Sequence, residues 1–577
     1  MFCKVITKQL SLVILHTNIS VKICRLLCGN VDTKISLLQD RFIYFFKNEN
    51  RYSPYIVHDS EKETYPIKTS LSKNLPLEQI INNVPKAKIP SFLHSLGTQR
   101  HIISSKDFQY ILLMVDDIFS HKLPCMEKES VLKCIHEWHN ICQGNTMSTK
   151  LYQEFMHIVS LWLTKRNNNL ELLVYVMFYI GQSKKLKSSQ NLMKKCLNEI
   201  DRYGNLLSLD ELCIMCVSSF KCSVPIRSAD LLQCICKTVE RNFQTIVNDP
   251  AYIVTFVKVL RLAKFYSFNI MDKIASDKYS EKILGMNFTA KVHILALYAD
   301  ALYDNRKLIP SLIQSCIHDA HLASTSSSHH SYLRIKDISR FLWAVSYLGY
   351  NLSRHELKEM TDELQRSIKE KHHLNIPEHI LGSLLSLWCL GVREGELFKD
   401  AINEDFMRVL KEKNLFRIQT RLSLLLTCIQ IELPALLSSA HNEWTMKNII
   451  PQEAQKKHLQ KRIFLKQIFT AVTNLGYHMK LNAVCNCYIP NLNIIGITVT
   501  SPSGKILHIE ALDSTVCLHE THKPHGLMKL KLRLLQNMDH QVLVIHSNQF
   551  DEVQNTVDVY EFLEEKLAKF LSIQKRV

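Results

Sequence analysis

The chain has 577 residues, and its 71 Lys and Arg outnumber 54 Asp and Glu for a formal charge of +17. Hydrophobic residues make up 46% and charged residues 22%, ordinary usage for a chain with a packed core, which excludes a disordered or collagen-like protein. Glycine is scarce at 14 residues, and neither a P-loop nor a G-x-G-x-x-G turn occurs, so the phosphate-cradling backbone of nucleotide enzymes is missing.

From Met1 to Val31 there is no acid, and the stretch carries Lys4, Lys8, Lys22 and Arg25 among Leu, Ile and Val. A basic, acid-free amphipathic start predicts a mitochondrial presequence and delivery to the matrix. A secretory signal fits less well, because the apolar core from Leu10 to Leu15 is short. Residues 1–64 are read as presequence and linker.

Residues 65–323 are expected to form a helical-repeat region. From about residue 107 to 443 apolar positions recur every three or four residues, the helical period. Similar apolar endings recur at Ile180, Phe220, Tyr266, Tyr303, Leu348 and Leu390, an interval of roughly 40 residues that matches a two-helix repeat. Two helices with two short loops need that length, so the spacing predicts stacked helical hairpins, an α-solenoid-like body. The longest apolar run, Leu172 to Ile180, falls well short of the ~20 residues that span a bilayer. The expected class is therefore a soluble protein with no membrane span. A polar break at 324–331 separates two stretches of helix.

The 18 cysteines are too dilute for a disulfide scaffold. Cys196, Cys216, Cys389 and Cys428 sit in apolar helical runs, where a thiol packs as a small hydrophobe; this usage suits a reducing compartment. Cys213 and Cys216 have no second pair at zinc-ribbon spacing. In the cluster Cys134, His136, His139 and Cys142 the histidines stand three apart, not the four of H-E-x-x-H, and Cys134 and His136 point to opposite faces of a helix. No metal site is expected from either group.

Near Pro451 the chain turns basic, with Lys456, Lys457, Lys461, Arg462 and Lys466. Strands follow at 493–500 and 506–511 about the turn Ser501-Pro502-Ser503-Gly504, then a helix at 526–538, a strand at 541–546 and a helix at 559–571. The order β-β-α-β-α predicts a small α/β domain. Three stretches of this domain, Ile509-Glu510-Ala511-Leu512-Asp513-Ser514, the helix Leu527 to Leu535, and Val542-Leu543-Val544-Ile545-His546, resemble a RAP domain. That RNA-associated module closes the FAST kinase domain-containing family of mitochondrial proteins; His546 stands where the family pattern has proline. Phe341 to Tyr350, Leu385 to Leu390 and Asp405-Phe406-Met407 resemble the family's first helical domain (335–415), and Arg421 to Pro434 the second (416–475), leaving the RAP domain at 480–575.

The resemblance implies a restriction-endonuclease-like fold for the closing domain and a role in the stability, processing or translation of mitochondrial transcripts. Nucleases of this fold, the PD-(D/E)xK type, need a carboxylate from each of two adjacent strands to hold Mg²⁺, and a lysine to orient water. Glu510 suits the second carboxylate, but the first strand has no acid and Leu512 takes the lysine's place. Asp513 and Lys529 could substitute only through space. The expectation is an RNA-binding fold that does not cut and needs no cofactor. The enzymatic alternative is an Mg²⁺-dependent endoribonuclease using Glu510 and Asp513; the third reading is a scaffold for mitochondrial ribosome or respiratory-complex assembly. Kinase activity has no support, since no glycine-rich loop, H-R-D or D-F-G motif occurs. Candidate RNA contacts are Lys529, Lys531 and Arg533, with Lys456, Lys457, Lys461 and Arg462, because cations meet phosphates; Lys184, Lys185 and Lys187 offer a further cluster. Expected partners are mitochondrial RNA and, through it, RNA-granule or ribosome-assembly proteins.

Overall fold

The structure is a computed structural model and describes residues 77–165, 168–183, 186–325, 333–413, 416–437, 441, 452–550 and 556–572. The presequence and linker reading (1–64), most of the polar break, and Lys184 and Lys185 lie outside these residues. The chain divides into two compact units, Met1–Phe265 and Tyr266–Val577.

In the first unit an inner row is formed by α1 (Ile89–Thr98), α2 (Lys128–Cys142), α3 (Leu170–Gln182), α4 (Leu209–Cys222) and α5 (Pro250–Ala263). Their starts recur at roughly 40 residues, the length of a helical hairpin with its loops, so the repeat period read from the sequence is a structural one here. Outer helices Ser105–Lys122, Lys150–Thr164, Lys187–Ile200 and Ala229–Arg241 alternate with them. An inner helix is covered on nearly every side, so its sequence is apolar all round: every residue of α3 from Leu172 to Gln182 is buried. That burial accounts for the longest apolar run in the chain. No described helix is long and apolar enough to cross a membrane.

Hydrogen bonds repeat at the same interval. The Tyr175 hydroxyl donates to the Leu132 carbonyl at 3.1 Å, His136 Nδ1 meets the Tyr179 hydroxyl at 3.0 Å, and the Tyr252 hydroxyl donates to Asp210 at 2.6 Å. Local signals set the ends. Ser208 and Glu211 form a capping box at the start of α4, and Ser223 closes it in the left-handed conformation. The metal-ligand candidates of the sequence are core residues: Cys134, His136, His139 and Cys142 are buried in α2, as are Cys213 and Cys216 in α4. Burial pushes both α4 thiols far up and holds His139 down at about 4.

In the second unit the inner row comprises α6 (Phe288–Asp300), α7 (Ile335–Tyr347), α8 (Pro377–Cys389) and α9 (Phe416–Glu432), which start at about the same interval as the inner helices of the first. Outer helices Ile309–Thr325 and Arg354–Lys369 back them. A four-stranded sheet follows in the order β1-β2-β3-β4, with β1 (Asn482–Asn486), β2 (Gly496–Thr500), β3 (Ile506–Leu512) and β4 (Gln541–His546). The first three strands are antiparallel and β4 lies parallel to β3. A parallel pair needs a crossover, supplied by α11 (Gly526–Asn537). On the other face α10 (Ile463–Met479) and α12 (Thr556–Ser572) pack against Ile497, Val499, Leu507, Ile509 and Ala511. From α12 come Leu563, Leu567 and Phe570, each contributing roughly 1.5–3 kcal/mol by burial. The body is helical and the C-terminal domain a small α/β unit, as the sequence predicts. Two features differ from the expected order. β1 is not among the strands expected, and α10, which begins inside the span read as the second helical domain and runs past it, packs beneath the sheet.

Candidate nucleic-acid interface

Helix α11 carries the sequence Leu527 to Leu535 in which cations alternate with leucines. At 100° per residue Lys529 and Arg533 share one face and Lys531 points to the other. The structure uses both faces. Lys529 Nζ donates to the Gly349 carbonyl at 2.6 Å, just past the end of α7. Arg533 donates to the Trp388 carbonyl at 2.8 Å and the Cys389 carbonyl at 3.3 Å, the last residues of α8. Its Nε reaches Glu432, the last residue of α9, at 2.8 Å. Helix α11 thus crosses the C-terminal ends of three successive inner helices. The carbonyls there lack intrahelical partners and carry the negative end of the helix dipole, so two cations are well placed to satisfy them.

Glu432 is the hub of this joint. Its side chain is fully buried and accepts from Arg533, from Arg393 at 2.9 Å, from Trp388 Nε1 at 2.6 Å and from Asn537 at 2.9 Å. At the other end of α11, His525 stacks on Tyr347 at 4.8 Å and 16°. Gly526 lies so close to the Ser346 carbonyl that a Cβ there would overlap its oxygen. Only glycine permits that approach.

Lys531 faces the sheet. Its Nζ lies 2.5 Å from Glu510 Oε1, and both side chains are 1% exposed. None of Nζ, Oε1 and Oε2 has a further hydrogen-bond partner among the described residues, so the two groups depend on each other. Burial raises the Glu510 carboxyl above its usual value, with Lys531 and then Arg462 pulling the other way. Opposite Glu510 on β2 stands Gly496, and a Cβ there would collide with the carboxylate. The place of a first metal-binding carboxylate is therefore taken by a residue with no side chain, against which Glu510 packs.

Asp513 does not join Glu510. It accepts from the Thr515 amide at 3.0 Å and from Arg462 Nε at 2.9 Å, capping the loop after β3. Arg462 is buried and also donates to the carbonyls of Ile495 at 2.7 Å and Ala511 at 2.5 Å, pinning the start of α10 to the ends of β2 and β3. The carboxylates do not fit a divalent ion: one is paired with a buried ammonium, the other with a guanidinium. Of the sequence-derived cations, Lys529, Lys531, Arg533 and Arg462 serve intramolecular contacts. Lys456, Lys457 and Lys461 are exposed on the helix Gln452–Lys461.

Sequence reasoning passes over a polar group on the α11 side of the sheet. His508 Nε2 lies 2.7 Å from His540 Nδ1, and its Nδ1 3.3 Å from Thr498. The Tyr488 ring covers both imidazoles. Burial, then His540 and Lys531, holds His508 down at about 3. A histidine alternating with apolar residues in a strand is the available signal.

No family model matches the chain. It is similar to FAST kinase domain-containing protein 5, mitochondrial, of Homo sapiens, with 26% identity over 329 residues, 56% of this chain and 41% of the relative. The protein of the same name from Macaca fascicularis is 25% identical over the same shares, and that from Mus musculus 21% over 364 residues, 62% of this chain and 45% of the relative. The chain thus spans less than half the length of the curated relatives it matches. By these likenesses the chain is similar to members of the FAST kinase domain-containing family over a little more than half of its length.

Proposed function

We propose that this chain is a mitochondrial RNA-binding protein that acts after transcription, on the stability, processing or translation of organellar transcripts. The likeness to relatives named mitochondrial carries the compartment. A mainly helical chain with an excess of 17 positive charges over its full length supports the binding, because helical stacks present extended surfaces and cations neutralise phosphates. The C-terminal α/β unit is read as a RAP domain whose nuclease-like chemistry is absent. Its carboxylates are occupied by Lys531 and Arg462, so no Mg²⁺ or other cofactor is required, and RNA would be held without cleavage. Direct partners are mitochondrial transcripts, and RNA-granule or ribosome-assembly proteins join through them. The test is crosslinking of the tagged protein to RNA in cells, followed by sequencing. Enrichment of mitochondrial transcripts is expected; recovery of no RNA above background would refute the proposal.

A further inference from the structure

Helix α11 crosses the C-terminal ends of α7, α8 and α9, and among the described residues the opposite ends of the same helices carry exposed and half-buried cations. After Ile335, the residues left unburied on α7 are Lys336, Arg340, Trp343 and Tyr347, spaced as one helical stripe. The stripe runs from two cations to the aromatic pair beside α11: Trp343 stacks on Tyr347 at 5.5 Å and 25°, and Tyr347 on His525. From α9 come Arg417, exposed, and Arg421, whose guanidinium reaches 3.7 Å from Glu378 on α8. Asp337, 1% exposed, anchors Arg334 at 2.5 Å and Arg340 at 2.8 Å, whose side chains are 53% and 23% exposed. Five cations therefore face two acids, Asp337 and Glu378, leaving +3 over three helix ends. His379 sits among them, and its imidazole is held below its usual value by burial and, against Glu378, by Arg340, Lys336 and Arg421. Beside the strip lies a depression of about 580 Å³ bordered by Arg334, Lys336, Arg366, His372 and His379. Its acids, Glu363 and Glu370, pair with Arg366 and His372.

We propose that the N-terminal ends of α7, α8 and α9 form a binding strip for single-stranded RNA, with Lys336, Arg340, Arg417 and Arg421 meeting phosphates and Trp343 offering a ring to a base. The proposal rests on the RNA-binding function proposed above and assigns it to the helical body rather than to α11. Cations next to a stacked aromatic are the combination that holds a flexible polyanion bearing planar bases. An acidic protein segment would use the cations alone.

The test is fluorescence anisotropy of the full chain with a labelled single-stranded RNA of about 20 nucleotides, from about 50 to 200 mM salt. The variant Lys336→Gln/Arg417→Gln/Arg421→Gln should weaken binding on the order of 10- to 100-fold and flatten the log–log salt slope by about 2, at ~0.7 per lost phosphate contact. The charge-preserving variant Lys336→Arg/Arg417→Lys/Arg421→Lys should stay close to wild type, which separates lost charge from lost fold. Ultraviolet crosslinking of the unmodified chain should recover the peptide containing Trp343. Wild-type binding that the glutamine variant leaves unchanged would overturn the strip and leave the RNA-binding reading standing. No wild-type binding would overturn both. Equal competition by polyglutamate of the same charge would overturn RNA as the partner of the strip.

Discussion

Removing the ammonium that faces Glu510 tests how the C-terminal domain is held together. In Lys531→Met the carboxylate stays buried at 1% exposure with no cation in contact. Breaking a buried pair this way costs about 3–5 kcal/mol. A second route gives a similar figure. The carboxyl can escape by taking a proton, and at pH 7.5 that means staying protonated three pH units above its ordinary value of 4.5, about 4 kcal/mol at ~1.4 kcal/mol per unit. At pH 5 the gap is half a unit and the cost falls to about 1 kcal/mol. The sign follows from a folded-state value raised above the unfolded one: this acid's contribution to stability is greatest at low pH and is lost as pH rises through its folded-state value. Hydrogen exchange on the full chain reads the effect locally. Amides of β3 and α11 should lose roughly two to four orders of magnitude of protection at pH 7.5 and about one at pH 5, with amides of α2 and α3 unchanged. Glu510→Leu/Lys531→Met should restore most of the protection, since an apolar pair of similar volume avoids both desolvation costs. A loss below tenfold at pH 7.5, or one independent of pH, would refute the account of the pair.

Gly526→Ala should place a methyl against the Ser346 carbonyl and loosen the docking of α11 by about 1–3 kcal/mol; faster exchange in α11 and at the end of α7 would register it. Glu432→Ala should release Arg533, Arg393, Trp388 and Asn537 together, at a cost of about 3 kcal/mol for a buried charge network, visible as easier proteolysis between the helical body and the sheet. Acidification should destabilise the chain through His139 and His525, both held down at about 4, chiefly by burial. Their neutral forms are favoured in the fold, so the contribution is complete above pH 6.5 and drains as pH falls towards 4. Each should lose about 2 kcal/mol by pH 5, and thermal melts across that range should drop accordingly.

The helical period and the repeat were legible because inner helices are apolar on all sides and end in similar punctuation. The anchors Ile180, Phe220 and Leu390 fall at the ends of α3, α4 and α8. β1 was not legible: a short strand with Asn at both ends, half-exposed at the sheet edge, gives too brief an alternation to register. The tasks of Lys529 and Arg533 were hidden for another reason. Their partners are backbone carbonyls at helix ends, and a carbonyl leaves no mark in a sequence. Glu432 closes an apolar helix, but nothing local in the sequence says that it meets an arginine 101 residues away.

Helix α11 touches the ends of three consecutive repeats at once, and this makes the joint a ruler. The distance from Gly526 to Arg533 is fixed by helical rise, so the ends of α7 and α9 must stand one repeat either side of α8. A hairpin added or deleted between them would leave Lys529 or Arg533 facing empty space. Changes in repeat number are thereby confined to the part of the chain before α7, while the last three repeats and the sheet must be inherited as a single piece.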